Sequence, residues 1–342
     1  MSRDNIPLIW CSIADIGKYK FASVDHLGIL SVFKKAIEHH INGILSLDIV
    51  DHQAIRKRKF NVIVDAINST GSLAFPPLLQ ALGIDYEIIN NQVDGDFKRD
   101  PEPLPKNLTQ LSQKVIDSKA DLGIAVDPDV DRLVLIDQNG VPFGEEYTIV
   151  ACIDYVLSRE KGPTVSNLST TRAARDITHQ YGCDHVTSSV GEFFVVEKMK
   201  QIDAVIGGEG SGGIIYPKLH YGRDALCGTA LFLSLLVQRQ ITVSELRKQY
   251  PQYYMCKEKL QMDSKRQIKE ALLKIKDVYK NHNPDKSDGV KIDFEQSWVQ
   301  IRESNTEPII RIYSEAPSQE KADSLVQEIQ QQIKKFFDSV NV

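Results

Sequence analysis

The chain has 342 residues, which at roughly 150 residues per domain is two or three domains. Hydrophobic residues make up 42% and charged residues 25%, the ordinary balance of a globular protein. The formal net charge of −5 excludes a general attraction to nucleic acid or to an anionic membrane, and no apolar run reaches membrane-spanning length.

No basic-then-apolar leader opens the chain. The five cysteines, Cys11, Cys152, Cys183, Cys227 and Cys256, are odd in number and far apart, with no CxxC pair. That pattern fits a reduced, cytoplasmic protein and argues against a zinc site or a disulfide framework.

Residues 1–30 show no clean periodicity. FNVIVDAI (60–67) reads as a buried strand. The turn formers Asn68-Ser69-Thr70-Gly71 follow, and then a helix from about Leu73 to Leu82 that Gly83 stops. DYEIIN is a second strand. The prolines of DGDFKRDPEPLPKN deny that loop regular structure, a helix spans about 108–119, and DLGIAV is a third strand. The rhythm then repeats: a helix at about 145–159, the strand TVSNL, an N-cap at Ser169-Thr170-Thr171, and a helix from Arg172 to Tyr181. DHVTSS is a strand, Glu192 to Met199 a helix and DAVIGGE a strand. Strand, polar loop and helix thus recur at VIVDAINSTG and TVSNLSTTRA, as in two α/β domains built alike. After Pro251 come a helix near 265–280, three β-rich runs (GVKIDF, SWVQIRES, PIIRIYSEA) and a long amphipathic helix from Gln319 to about Ser339, the pattern of a separate α+β domain. Boundaries near 143 and 252 give domains 1–143, 144–252 and 253–342.

Three loops have chemistry-bearing composition. In DPDVDR, Asp127, Asp129 and Asp131 alternate at a strand end, where α/β folds place ligands. Crowded carboxylates raise one another's pKa unless a cation sits between them, and a hard divalent ion such as magnesium relieves that cost. The plainer alternative is a solvated acidic turn with Arg132 in salt bridges, but the triple spacing between two apolar strands favours the metal. An EF-hand is excluded, because Arg132 and Gln138 stand where that motif needs glycine and a bidentate glutamate. In GGEGSGG (207–213), Gly208, Gly210 and Gly213 match the dinucleotide spacing, but IIYPKLHYG follows and no helix can start, so that reading fails. What remains is a loop whose backbone can approach a ligand, with Glu209 as acceptor and Ser211 as donor for sugar hydroxyls. In RESNTEP (302–308), Arg302, small hydroxyls and free amides make a phosphate cradle or a plain hairpin turn. Among lesser candidates, Glu192 reads as a favourable first-turn acid and Arg223 as a phosphate contact or an ion pair with Asp224 or another acid. His220 lies just past the glycine loop, and His39 and His40 read as solvated helix residues.

The ordered set DPDVDRLVLID, VIGGEGSGG and RESNTEPIIRIYSEA resembles the α-D-phosphohexomutase family, which includes phosphoglucomutases, phosphomannomutases and phosphoglucosamine mutases. The resemblance runs from about Ile16 to the end. It implies a four-domain parent with three α/β domains and a smaller last one, α+β and like the TATA-box-binding protein. This chain would supply two similar mixed-sheet α/β domains and that α+β domain. It implies an isomerase that interconverts hexose 1-phosphate and 6-phosphate through a phosphoserine and a bisphosphate. In that reading Asp127, Asp129 and Asp131 bind magnesium and Arg132 reaches the transferring phosphate. Glu209 and Ser211 hold sugar hydroxyls, and Arg302, Ser304, Asn305 and Thr306 grip the other phosphate.

The sequence departs from the family at two places. The T-A-S-H-N-P loop that carries the family's phosphoserine is not found, and no Ser-His dipeptide occurs. The expectation is a chain that lacks the phosphoserine domain, has that domain as its missing partner and is inactive alone. Gly213 stands where some members carry a histidine, so the general acid/base stays unassigned. Two alternatives remain: a haloacid-dehalogenase-type phosphatase with Asp127 as nucleophile, and a non-catalytic phosphosugar-binding protein. The sugar is not fixed by GEGSGG.

Overall fold

Residues 26–304 and 307–340 are those described by the computed structural model. They open with α1 (His26–Leu45) and α2 (His52–Arg58), the second capped by Asp51, whose carboxylate accepts from Ala54 N. NVIVD forms β1 (Asn61–Asp65), buried at its last four positions, as a β-branched run in the middle of a parallel sheet should be. α3 (Gly71–Ala81) returns the chain to β2 (Asp85–Ile89), parallel to β1. α4 (Thr109–Asp117) leads to β3 (Leu122–Val126), also parallel to β1, and β4 (Leu133–Asp137) folds back antiparallel. The strand order is β2-β1-β3-β4.

The next segment repeats this topology. α5 (Glu145–Arg159) precedes β5 (Thr164–Asn167), α6 (Arg172–Gln180), β6 (His185–Ser188), α7 (Glu192–Ile202), β7 (Ile206–Glu209) and β8 (Gly213–Ile215). The order is β6-β5-β7-β8, with β5 parallel to β6 and β7, and β8 antiparallel. The likeness of the two α/β segments is therefore topological, and it has a consequence for the site. The acidic loop is the turn between β3 and β4, and the glycine loop is the turn between β7 and β8. The two loops occupy the same place in the two sheets.

α8 (Ala225–Arg239) and α9 (Val243–Gln249) complete this part. α8 is buried without interruption from Ala225 to Leu236, and α5 from Glu146 to Leu157. Helices buried on every face belong inside a core rather than on its surface. One hydrophobic cluster accordingly runs from Ile37 through Phe143 and Ile206 to Tyr250, continuous across the expected boundary near 143.

The third sheet is wholly antiparallel, in the order β10-β11-β12-β9. Its strands are β9 (Tyr254–Gln261), β10 (Val290–Asp293), β11 (Trp298–Glu303) and β12 (Ile309–Ala316). α10 (Lys265–Val278) and α11 (Gln319–Val340) cover it, with Ile275 and Ile329 in a separate core with Ile301 and Ile312. Sequence reasoning expects three strands here and misses β9. YMCKEKLQ is largely exposed, with only Cys256 and Leu260 packed against the core, and it is a strand because it pairs with β12 along its whole length.

Of the two histidines read as solvated, His39 is exposed as expected, but His40 faces inward. His40 is 3% exposed, and its Nε2 lies 2.8 Å from Asp224 Oδ2. Among the described residues no single helix is long and apolar enough to cross a membrane, and Cys152, Cys183, Cys227 and Cys256 are free. Cys11 lies outside the described residues.

Candidate active site

The chain leaves β3 at Val126 and enters β4 at Leu133, so six residues make the acidic turn. Asp127 is 7% exposed, and its Oδ1 accepts from the backbone N–H of Asp131 (3.1 Å) and Arg132 (3.0 Å). The turn needs Val130 at φ +63°, a left-handed conformation that costs a β-branched residue about 1–3 kcal/mol. Val130 O accepts from Ala225 N (3.0 Å) and Ser69 Oγ donates to Pro128 O (2.8 Å), which fixes the loop from both sides.

Asp127, Asp129 and Asp131 each bring one carboxylate oxygen within 4.8 Å of the others. Burial first, and then the Asp131 and Asp129 charges, push the Asp127 carboxyl up to about 9. Burial and Asp131 likewise raise Asp129. Asp131 Oδ1 is buried and has no hydrogen-bond partner. A hard divalent cation suits this donor set, since it would neutralise the like charges and take the unused oxygen. Arg132 Nε lies 3.4 Å from Asp127 Oδ2 and 3.9 Å from Asp131 Oδ1, with its side chain 30% exposed.

The glycine loop is ordered from beneath. Glu209 is 6% exposed, which rules out a solvated turn. Its Oε1 accepts from Asn167 Nδ2 (2.7 Å) and Gly191 N (3.2 Å), and Gly210 N donates to Thr170 Oγ1 (3.0 Å). A Cβ on Gly210 would overlap the Glu146 carboxylate, so any larger residue there would have to displace that buried side chain. Ser211 stands half-buried at the turn, and β8 rather than a helix follows, as expected.

Arg223 joins the two loops. Its Nη2 pairs with Asp131 Oδ2, its Nη1 with Glu209 Oε2 (2.8 Å) and its Nε with Glu192 Oε2 (3.4 Å). Leu133 N also donates to Gly212 O (2.9 Å). Arg223 therefore pairs with other acids and not with Asp224. Asp224 instead caps α8 through Oδ1 and offers Oδ2 to His40 and His220 (3.1 Å). Burial raises the Asp224 carboxyl, but the two imidazoles outweigh it and hold it below the usual carboxylate range. Glu192 is more than a first-turn acid, since it also accepts from Arg223 N (2.9 Å).

Arg302 lies in β11, one residue before the strand ends, with Nε buried and without a hydrogen-bond partner. Ser304 is 2% exposed. Asn305 and Thr306 lie outside the described residues. The third sheet meets the second beside Glu209: Ser169 Oγ donates to Gln300 Oε1 (2.6 Å), Val190 N to Asp288 Oδ2 (3.0 Å) and Lys291 Nζ to Leu168 O (2.8 Å).

Three family models match the chain in order. Phosphoglucomutase/phosphomannomutase alpha/beta/alpha domain II matches residues 38–140, alpha/beta/alpha domain III residues 144–254, and the C-terminal domain residues 258–332. The chain belongs to the phosphoglucomutase/phosphomannomutase family. It is 38% identical over 275 residues to a phosphoglucomutase/phosphomannomutase of Thermococcus kodakarensis, a match covering 80% of this chain and 60% of that protein. It is 33% identical over 303 residues to a phosphoglucosamine/phosphogalactosamine mutase of Sulfurisphaera tokodaii, covering 86% and 66%. The chain thus spans less than two thirds of the length of these relatives. In fold it is similar to Aspergillus fumigatus N-acetylphosphoglucosamine mutase, solved with GlcNAc-6P and magnesium, with a TM-score of 0.59, 15% identity, and 82% and 68% coverage.

Within this phosphohexomutase frame, several supporting residues escape sequence reasoning. Arg99, in the proline-rich loop, donates Nε to Asp65 Oδ2 (2.7 Å) and Nη2 to Val126 O (2.6 Å), clamping the strand end from which Asp127 emerges. Asn167, which closes the strand TVSNL, and Thr170, read only as part of an N-cap, position Glu209 and Gly210. Thr171 is that cap, accepting from Ala173 N (3.2 Å). The available signal was topological: Asp65 and Asn167 are the last residues of β1 and β5, the corresponding strands of the two sheets.

Proposed function

We propose that this chain forms the metal, sugar and distal-phosphate sites of a magnesium-dependent hexose-phosphate mutase. The observation that carries the reading is the Asp131–Arg223–Glu209 bridge, which brings the acidic loop and the glycine loop to one site. Asp127, Asp129 and Asp131 would hold magnesium, which supplies charge neutralisation for phosphoryl transfer. Arg132, beside the triad and partly exposed, would meet the transferring phosphate. Glu209 and Ser211 would accept from and donate to sugar hydroxyls. Arg302 and Ser304, with Asn305 and Thr306, would bind the phosphate that stays, the unpartnered Arg302 Nε supplying one donor.

The chemistry follows from these roles. A phosphoseryl O–P bond breaks as a bond forms between that phosphorus and a sugar hydroxyl oxygen, whose proton passes by way of a base to the departing serine oxygen. The bisphosphate turns over and returns its other phosphate to serine. The phosphoserine would come from a further domain, the partner this reading requires. The phosphatase alternative has no support from a chain matched by mutase models from residue 38 to residue 332. Titration of glucose 6-phosphate, mannose 6-phosphate and glucosamine 6-phosphate against the chain, with magnesium and with chelator, tests the proposal. Binding that requires the phosphate and strengthens with magnesium is expected. Equal affinity for the free sugars, or none for any phosphate, would reject it.

A further inference from the structure

Arg223 has no part in the transfer just described, yet it is the most heavily contacted cation of the site. One guanidinium faces carboxylates from three segments: Asp131 of the acidic turn, Glu209 of the glycine turn and Glu192 at the start of α7. Its own N–H donates to Glu192 Oε1 (2.9 Å), so the main chain is fixed along with the fork. The next residue, Asp224, caps α8 and is held by two buried imidazoles, which makes the base of the arginine rigid. The side chain is 16% exposed.

The stem of Arg223 runs across Gly213. A Cβ at position 213 would lie 3.0 Å from Arg223 Cγ and closer still to Cδ. Gly213 and Arg223 are therefore a matched pair, the absence of a side chain at one giving passage to the other. Asp131 uses Oδ2 for the arginine, and its Oδ1 is buried with no hydrogen-bond partner. Held by one oxygen, the carboxylate keeps the other for the triad.

Resting on the mutase reading, we propose that Arg223 is a positioning residue that sets Asp131 for the divalent cation and Glu209 for the sugar with one planar group, so that the two sites are energetically coupled. A guanidinium can do this because its N–H groups lie in a fixed fork, whereas an ammonium is a point charge that satisfies one carboxylate at a time. Loss of such an outer contact weakens metal binding by about 10–100-fold. Coupling of two binding sites is reciprocal, so magnesium strengthens hexose-phosphate binding by the same factor as the sugar strengthens magnesium binding, on the order of tenfold.

The test uses the whole chain, with magnesium titrated in the presence and absence of glucose 6-phosphate or mannose 6-phosphate, whichever binds. Arg223→Gln should weaken magnesium by about tenfold or more and abolish the coupling. Arg223→Lys should recover part of one affinity and none of the coupling. Gly213→Ala, which displaces the stem and keeps the charge, should behave as Arg223→Gln does. If Arg223→Gln fails to fold, the other two variants read the same quantities. A purely electrostatic counter-charge would give the opposite sign, since its removal leaves the triad more negative. Unchanged or tighter magnesium binding, or coupling that survives in Arg223→Lys, would overturn the proposal. A wild-type chain that binds no hexose phosphate would instead reject the mutase reading itself.

Discussion

Arg99→Met should destabilise the first sheet and loosen the acidic loop together. Methionine keeps the length and apolar bulk of the stem and removes the guanidinium. In the native protein Arg99 is 7% and Asp65 2% exposed in their side chains, so the pair is buried. Removing one partner of a buried pair costs about 3–5 kcal/mol, because the other charge stays behind. Asp65 Oδ1 keeps Ile67 N (3.0 Å) and Asn90 Nδ2 (3.0 Å), which places the loss near the lower end. For a cooperative unit of roughly 150–250 residues, such as that built on the core from Ile37 to Tyr250, ~1 kcal/mol moves the melting temperature by about 2–4 °C, so ~3 kcal/mol corresponds to about 6–12 °C. Thermal melts followed by circular dichroism read the shift. Asp65→Asn in the Arg99→Met background removes the stranded charge and should restore much of the loss. Because Arg99 also holds Val126 O, magnesium affinity should fall in both variants. A loss below about 1 kcal/mol, the scale of an exposed pair, or a double variant no more stable than the single one, would refute the reasoning.

Three further outcomes are expected. Asp129→Asn should weaken magnesium binding by about tenfold or more, the scale of one charged contact, while leaving the melting temperature of the metal-free protein equal or higher. Calorimetry beside thermal melting checks both. Arg302→Lys keeps the charge and loses the fork, so hexose-phosphate binding should weaken by about tenfold while free hexose shows no difference, as measured by titrating both ligands. Burial lowers the pKa of His40, but the Asp224 carboxylate more than reverses this and leaves it raised above 6.5. The folded protein then keeps a proton that the unfolded chain releases, so this stability is full below about pH 6.5 and is lost as pH rises through the folded value. His40→Gln should flatten that decline in urea midpoints measured between about pH 6 and pH 9, and an unchanged slope would remove His40 from the account.

Local signals were legible in the sequence where chemistry and backbone coincide. The alternation of Asp127, Asp129 and Asp131 between apolar strands identifies a strand-end turn, and the residues after Gly213 exclude a dinucleotide loop because a β-branched run and Pro217 cannot open a helix. What was not legible depends on distant partners. β9 has its apolar residues at the two ends of a charged middle, without a clean alternation, and its strand character comes from pairing with β12. His40 looks solvated in a run rich in charge until α1 packs it onto Asp224, 184 positions later. Arg99 sits among turn formers that suggest exposure, and its fork closes on Asp65 and Val126 from two separate strands. Arg223 reads from sequence as a phosphate contact or an ion pair with Asp224 or another acid, but which acids it meets depends on two turns that sequence separates and topology equates.

The most direct test of the central claim is turnover. A phosphorylated first domain, supplied by a family relative and joined covalently to this chain, is mixed with hexose 1-phosphate and magnesium, and formation of 6-phosphate is followed by phosphorus NMR. The account predicts magnesium-dependent interconversion for the joined protein, negligible conversion by the isolated chain, and loss of conversion in Asp129→Asn. Intact binding of hexose phosphates with no conversion by the joined protein would contradict it and leave a phosphosugar-binding protein, and full conversion by the purified isolated chain would contradict the need for a phosphoserine domain.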